Sequence, residues 1–479
     1  MPPSWSSYSP PPIITRSFTG GANMLRTLVG GWTWSPALAL AKPSMLSVFS
    51  RISSGTLLLV DEPGQTRHVF GQKLSGELPD STAVHSRRAS TVPRVEVVVK
   101  NDAFWMRLFL FADMGFAEAF MLGDFECHDL TSFFQLFIAN RHLLDNGTTY
   151  FSTLSSALSS LARSTNTLSN SLLNVSAHYD ISNQMFAAFL SPDMTYSCPI
   201  WNLDKINGPS SHETLEQAQT RKLAYFIHGA KIKSTDHVLE IGTGWGSFAI
   251  EAVRATGCRV TSLTLSAQQK SLAEQRVHQA GLTHCIDIKL MDYRQLPVPQ
   301  VPYDKIISIE MLEAVGRDYL STYFACIHRL LKKDGGIAMF QCITMPEGRH
   351  DAYSRSEDFI NHYIFPGGYL PSITQLLNHI SEQSDGTLIV EHVNNIGGHY
   401  AKTLRLWNES FQQNFEATIK PALLEEHPGM TKPAIEVFRR KWQYYFAYCE
   451  AGFLTKTLGD VIITVGREGA LELMEGIPL

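Results

Sequence analysis

An α/β fold with a mostly parallel, seven-stranded sheet is what this sequence predicts, and three observations carry the prediction. From about residue 176 onward, apolar strand-like runs recur at intervals that leave room for a helix. Alternating strand and helix with apolar strands means a parallel sheet covered on both faces. One run, His237 to Ile241, passes into three glycines at alternate positions and then into a helical pattern, Phe248 to Ala255.

Taken in order, residues 1–37 read as a tail. The first 60 residues hold no Asp or Glu, and their charges are Arg16, Arg26, Lys42 and Arg51. The Pro10-Pro11-Pro12 run favours a disordered tail; the alternative is an organelle targeting segment of similar composition. Residues 38–145 read as a small α+β unit. Gly55 to Val60 and Val95 to Lys100 are strands, with a turn at Asp61-Glu62-Pro63-Gly64, and Leu130 to Leu144 has helical apolar spacing. Residues 146–175, rich in Ser, Thr and Asn, read as a linker.

The main domain spans 176–479. A helix over Thr214 to His228 gathers Leu215, Ala218, Leu223, Phe226 and Ile227 on one side. Strands follow at His237 to Ile241, Arg259 to Thr264, Ile286 to Met291, Tyr303 to Ile309, Ile337 to Ile343, Leu388 to Val393 and Val461 to Val465, with a helix over Glu436 to Ala451 before the last.

Composition narrows the function. The chain has 479 residues, 44% hydrophobic and 18% charged, enough for two or three domains. A net charge of −5 argues against nucleic acid as a partner. Seven cysteines without a CxxC pair argue against structural zinc and against a disulfide framework, so no metal is expected and a reducing, cytoplasmic compartment is the simplest reading. No run reaches the roughly 18 apolar residues that span a bilayer, so a lipid would be met from the membrane surface.

The sharpest local signal is Glu240-Ile241-Gly242-Thr243-Gly244-Trp245-Gly246. Glycines there let a ligand approach bare backbone beside a helix N-terminus. The dinucleotide fingerprint places its last glycine one residue later and needs an acid about 20 residues on. The second strand ends instead at Leu263-Thr264-Leu265-Ser266. The spacing resembles the S-adenosylmethionine loop of methyltransferases, and with it a Rossmann-like class I methyltransferase domain.

Further segments sharpen the resemblance. They include His178-Tyr179-Asp180, Met194-Thr195-Tyr196-Ser197-Cys198, Thr264 to Gln269, Glu310-Met311-Leu312-Glu313-Ala314-Val315-Gly316, Tyr363 to Gly368, His399 to Leu404 and Tyr448 to Phe453. Taken together, over about 176 to 467, they strongly resemble the cyclopropane-fatty-acyl-phospholipid synthase family, which includes the mycolic acid cyclopropane synthases. Ala112 to Ala119 and Leu122 to Phe125 extend the likeness more loosely.

The resemblance implies a reaction. The double bond of an unsaturated phospholipid acyl chain attacks the cofactor methyl, and the resulting cation loses a proton and closes to a cyclopropane. It implies that the N-terminal unit engages lipid at a membrane surface, and it is compatible with a homodimer. Cofactor contacts fall to Tyr196, Ser197, Glu240, Gly242, Gly244, Gly246, Thr264, Ser266, Gln269, Asp292 and Tyr293. Phe359, Tyr363, Ile364, Phe365 and Tyr369 are expected to line a dry acyl channel. The family's base is a bound bicarbonate, and its cage maps to Cys198, Glu313, Ile343 and Tyr400. Catalytic residues are then Glu313, Tyr400, Cys198, Gln341 and Cys449, with Cys449 read chiefly as packing near the channel. His178, Tyr179 and Asp180 read either as an acid/base group or as pocket wall. The family pattern has His at the positions of Gln341 and Ala314, a departure that puts the bicarbonate in doubt. On this reading Glu313→Gln abolishes turnover and spares cofactor binding. The nearest alternative is a lipid C-methyltransferase that leaves a methyl branch, for instance on a sphingoid base, without closing a ring.

Overall fold

The computed structural model describes residues 34–72, 93–144, 182–203 and 213–478. His178, Tyr179, Asp180 and the expected linker lie outside them.

Two sheets organise the described residues. The smaller takes strands β1 (Thr56–Asp61), β2 (Thr66–Gly71), β3 (Arg94–Val99) and β4 (Phe125–Glu126), in the order β2-β1-β3-β4. The β1–β2 hairpin turns through the predicted Asp-Glu-Pro-Gly stretch; β1 and β3 run parallel. Helices Ala103–Leu122 and Leu130–Leu144 cover it. The first breaks at Ala112, whose φ of 47° and ψ of −121° are not helical. That helix is absent from the sequence reading, because its apolar residues run nearly all round and show no single-faced period.

The larger sheet holds β5 (His237–Ile241), β6 (Arg259–Thr264), β7 (Ile286–Leu290), β8 (Lys305–Ile309), β9 (Ile337–Thr344), β10 (Ile389–Asn395) and β11 (Gly459–Gly466), in the order β10-β11-β9-β8-β5-β6-β7. Strands β5 to β9 are parallel, and β11 runs antiparallel to both β9 and β10. The seven expected strands are all there, in the expected mostly parallel arrangement. The order reverses beside β5, so the carboxyl ends of β5 and β8 flank a crevice where such sheets take their ligands. Strand β10 is an exposed edge.

The helix Lys432–Leu454 joins the two sheets' units. It begins four residues before the expected Glu436, because Thr431 caps it and Pro433 fits its first turn. Its Tyr444 packs edge-on against Phe134 at 5.1 Å, and Glu450 accepts a hydrogen bond from Thr131 at 2.9 Å. Arg440 donates to the carbonyls of Phe120 and Phe125. One continuous apolar cluster thus runs from Phe49 through Phe134 and Tyr444 to Val238. Among the described residues no helix is long and apolar enough to cross a membrane.

Candidate active site

At the carboxyl end of β5 the chain turns through Gly242, Gly244 and Gly246 with φ of 102°, 52° and 84°. The Gly242 and Thr243 amides close onto the Leu263 carbonyl of β6 at 3.0 and 2.9 Å. Gly246 starts the helix Ser247–Thr256 from the left-handed region, which a side chain would strain. A Cβ placed on Gly244 would meet nothing within 4 Å, so this corner is open space beside a helix N-terminus. The residues fit a nucleoside-bearing sulfonium on that count.

The other expected cofactor residues divide. Thr264, Ser266 and Gln269 come together at the start of the helix Ala267–Gln279. Ser266 Oγ accepts the Gln269 amide at 3.2 Å, and Thr264 Oγ1 donates to Gln269 Oε1 at 3.0 Å. Asp292 and Tyr293 follow β7; the Asp292 carboxylate is held by Arg294, which keeps it below its usual range, and the Tyr293 ring packs on Tyr323 at 5.2 Å. Glu240 sits differently from the expectation. It is buried and accepts from Ser262 at 2.5 Å, and the Ser262 hydroxyl bonds Thr243 at 2.6 Å. It braces the glycine turn from behind rather than facing the open corner. Tyr196 and Ser197 lie across the crevice. Tyr196 touches Trp407 at 5.1 Å and Phe186 at 5.2 Å, its hydroxyl meets that of Tyr445 at 3.0 Å, and Phe186 in turn packs on the loop's Trp245.

Behind this corner lies a group of buried polar side chains. Glu310, at the end of β8, accepts the Cys198 amide on Oε1 at 2.7 Å and Gln341 Nε2 on the same atom at 2.7 Å. Its Oε2 accepts the Tyr400 hydroxyl at 2.8 Å. Gln341 also donates to Asp460 Oδ2 at 2.9 Å. Three residues on, Glu313 Oε1 accepts the Ile343 amide at 2.5 Å, and its Oε2 is buried without a partner. Lys222, fully buried, donates to Ser197 Oγ at 2.6 Å. Met311, next to Glu310, stands 3.2 Å from where a Cβ of Gly242 would be, so the polar group and the glycine turn are neighbours.

Cys198, Glu313, Gln341 and Tyr400 are thus assembled around three residues that the sequence reading left without a role, Glu310, Asp460 and Lys222, whereas no hydrogen bond ties Cys449 to them. Burial raises the carboxyls of Glu310, Glu313 and Asp460, and for Asp460 the charge of Glu310 adds to this. Glu313 is pushed up to about 8, by burial first and then by Glu310. Cys198 serves the group through its backbone, its amide donating to Glu310 and its carbonyl accepting from Gln341 Nε2 at 3.3 Å, while its thiol lies 3.8 Å from the Ile396 carbonyl. Burial raises the thiols of both Cys198 and Cys449, which disfavours their thiolate forms. Of the expected channel residues, Phe365 reaches Tyr196 and Tyr445, at 6.4 and 5.9 Å. Phe359 and Tyr363 turn to Tyr444 and Glu118. Tyr369 departs from the expectation: its hydroxyl bonds Gln375 and His350, and its ring belongs to the packing behind the sheet.

The expected bicarbonate cage does not fit an anion. Its donors are the Cys198 amide, the Tyr400 hydroxyl and the Ile343 amide, and each is spent on a carboxyl group of this chain.

Residues 166–462 match the mycolic acid cyclopropane synthetase family. The chain belongs to that family. Among its relatives, a tuberculostearic acid methyltransferase of Mycobacterium tuberculosis is 42% identical over 297 residues, which cover 62% of this chain and 65% of that protein. The cyclopropane-fatty-acyl-phospholipid synthase of Escherichia coli is 30% identical over 382 residues, covering 79% and 90%. A mycolic acid cyclopropane synthase crystallised with S-adenosylhomocysteine superposes with a TM-score of 0.51 at 29% identity, over 62% of this chain and 98% of that one. As a mycolic acid cyclopropane synthetase homologue, the chain is an S-adenosylmethionine-dependent transferase with a class I methyltransferase fold, and its relatives support methyl transfer to lipid.

Two predictions follow from the carboxyls. Glu313 carries its proton near neutrality, so Glu313→Gln keeps an uncharged acceptor for the Ile343 amide. Its turnover is expected to fall less than about tenfold, in place of the full loss expected from sequence; a loss of about 100-fold in kcat would show that Glu313 acts as an acid or base. Glu240 is likewise pushed up to about 8 by burial. A carboxyl whose folded pKa is raised favours folding at low pH and loses that advantage as pH climbs through the folded value. Glu240→Gln is therefore expected to gain stability over the parent chain between about pH 5 and about pH 8, by up to about 1.4 kcal/mol per pH unit. Parallel denaturation midpoints across that range would contradict it.

Proposed function

We propose that this chain transfers the methyl carbon of S-adenosylmethionine to the double bond of an unsaturated phospholipid acyl chain at a membrane surface, and that the chain then closes to a cyclopropane. The observation that carries the reading is the open corner at Gly244 beside buried aromatic rings and carboxyls. When bound, the cofactor supplies an electrophilic methyl group. The protein's own part is to exclude water and to remove one proton. Tyr196, Trp407, Tyr445 and Phe365 form an apolar wall against which an acyl chain can lie, and their ring faces suit a passing cation.

A second reading, methyl transfer without ring closure, is favoured by the 42% identity to a tuberculostearic acid methyltransferase and by Gln341 and Ala314 in place of histidines. Expression in a host lacking cyclopropane lipids, with mass and NMR analysis of its fatty acids, separates the two. A gain of one methylene with no remaining double bond supports ring closure. The same gain with a double bond retained supports the branching enzyme. Unchanged lipids in a host supplying both substrates would defeat both readings.

A further inference from the structure

Glu310 stands where an external anion would be held. Three independent groups aim donors at its carboxylate: the Cys198 amide, the Gln341 side chain and the Tyr400 hydroxyl, at 2.7, 2.7 and 2.8 Å. The Ile343 amide, the remaining donor of the expected cage, is taken by Glu313 at 2.5 Å. A bicarbonate ion would have to displace these bonds and sit among Glu310, Glu313 and Asp460, all buried. The backbone at Glu310 is also strained, with φ of 47°, a conformation that non-glycine residues adopt only when their surroundings impose it. The strain holds a carboxylate at the carboxyl edge of the sheet, one residue from the Met311 side chain that abuts the glycine turn.

We infer that the Glu310 carboxylate is the reaction's built-in base, taking the place of bicarbonate. The inference rests on the proposed methyl transfer to an acyl double bond. In that step the π electrons form the new carbon–carbon bond to the methyl group as its bond to sulfur breaks, leaving a cation on the acyl chain. Glu310 takes one proton, and the freed C–H electron pair closes the ring or forms a new double bond. The resulting carboxylic acid gives its proton to solvent once product leaves. Burial raises Glu310, and the hydrogen bonds it accepts and the Lys222 charge oppose that rise by favouring its ionised form.

The test compares the parent chain with Glu310→Gln and Glu310→Gly. Cofactor affinity by calorimetry and melting temperature serve as folding controls. Turnover of vesicles of unsaturated phosphatidylethanolamine is measured in buffer stripped of carbon dioxide and again with added bicarbonate. The parent chain is expected to work equally well in both. Glu310→Gln is expected to lose about 100-fold or more in kcat at unchanged cofactor affinity. Glu310→Gly, with the cage emptied, is expected to lose as much and to recover in part with bicarbonate, whereas Glu310→Gln, with the space still filled, is not. Activity of the parent chain that collapses on stripping, or Glu310→Gln at parental turnover, overturns the inference. Binding of carbon-13 bicarbonate, followed by NMR in the presence of S-adenosylhomocysteine, needs no turnover. Saturable binding to the parent chain overturns the inference, and binding only to Glu310→Gly supports it. Should no lipid be methylated at all, the proposed function fails while the binding measurement still decides what fills the cage.

Discussion

Gly244→Val is expected to abolish cofactor binding while leaving the fold intact. The residue sits at φ 52° with nothing within 4 Å of a would-be Cβ, so a side chain meets strain but no clash in the free protein. A β-branched residue in the left-handed region costs about 1–3 kcal/mol, and the valine methyls would project into the space left for the ligand. The strain burdens free and bound protein alike, so it is the methyls in the ligand's space that are expected to raise the Kd for S-adenosylhomocysteine about 100-fold or more, each 1.4 kcal/mol being about tenfold. Gly244→Ala separates the causes, since it carries the strain with little bulk and is expected to lose about tenfold or less. Calorimetry with both variants reads this directly. A valine variant that binds as tightly as the parent would mean that the ligand does not use this corner.

The second large effect is expected at Lys222. Its ammonium is fully buried, donates to Ser197 Oγ at 2.6 Å and feels the charges of Glu310, Asp193 and Asp460. Burial pulls its pKa down, and those carboxyls oppose the pull. Lys222→Met fills the volume but leaves Glu310 as a buried charge without its counter-charge. Removing one partner of a buried ionic group typically costs about 3–5 kcal/mol. Urea denaturation at neutral pH is expected to show a loss of that order. The loss should shrink as pH falls, because protonated carboxyls no longer need the lysine. A loss below about 1 kcal/mol, constant with pH, would mean that Lys222 is neutral where it sits.

The sheet was legible because each strand's apolar run is long enough to stand out, and the glycine turn because its residues are spaced by a backbone requirement. The same reading missed β2, whose Thr66 to Gly71 is largely exposed at an edge and carries no apolar signature. It placed Cys198, Glu313, Gln341, Ile343 and Tyr400 together, and the fold does bring them together. It gave no role to Glu310, although Glu310 stood in a quoted motif. The signal was available as two acids three residues apart directly after a buried strand. Lys222 was hidden in a similar way: it lies one turn after Ala218 and one before Phe226, on the face of its helix that the fold buries. A lysine on such a face is usually read as a solvated end. Asp460 could not be found locally, because its partner Gln341 is 119 positions away and only the antiparallel pairing of β11 with β9 joins them. Tyr369 and Glu240 were assigned to the ligand by position in a motif, and their side chains turn elsewhere for the same reason: hydrogen-bond partners nearby claim them.

The helix Lys432–Leu454 puts Tyr444 and Tyr448 against Phe134, and Glu450 against Thr131, so one rod is shared by both units. Cutting the protein between them would bare a greasy, ring-studded stripe to water and take from Glu450 the hydroxyl of Thr131. A family member built from the catalytic half alone would have to repaint that stripe with polar residues. Conversely, a disturbance at the N-terminal unit has a continuous helix reaching Tyr445, and through its hydroxyl Tyr196.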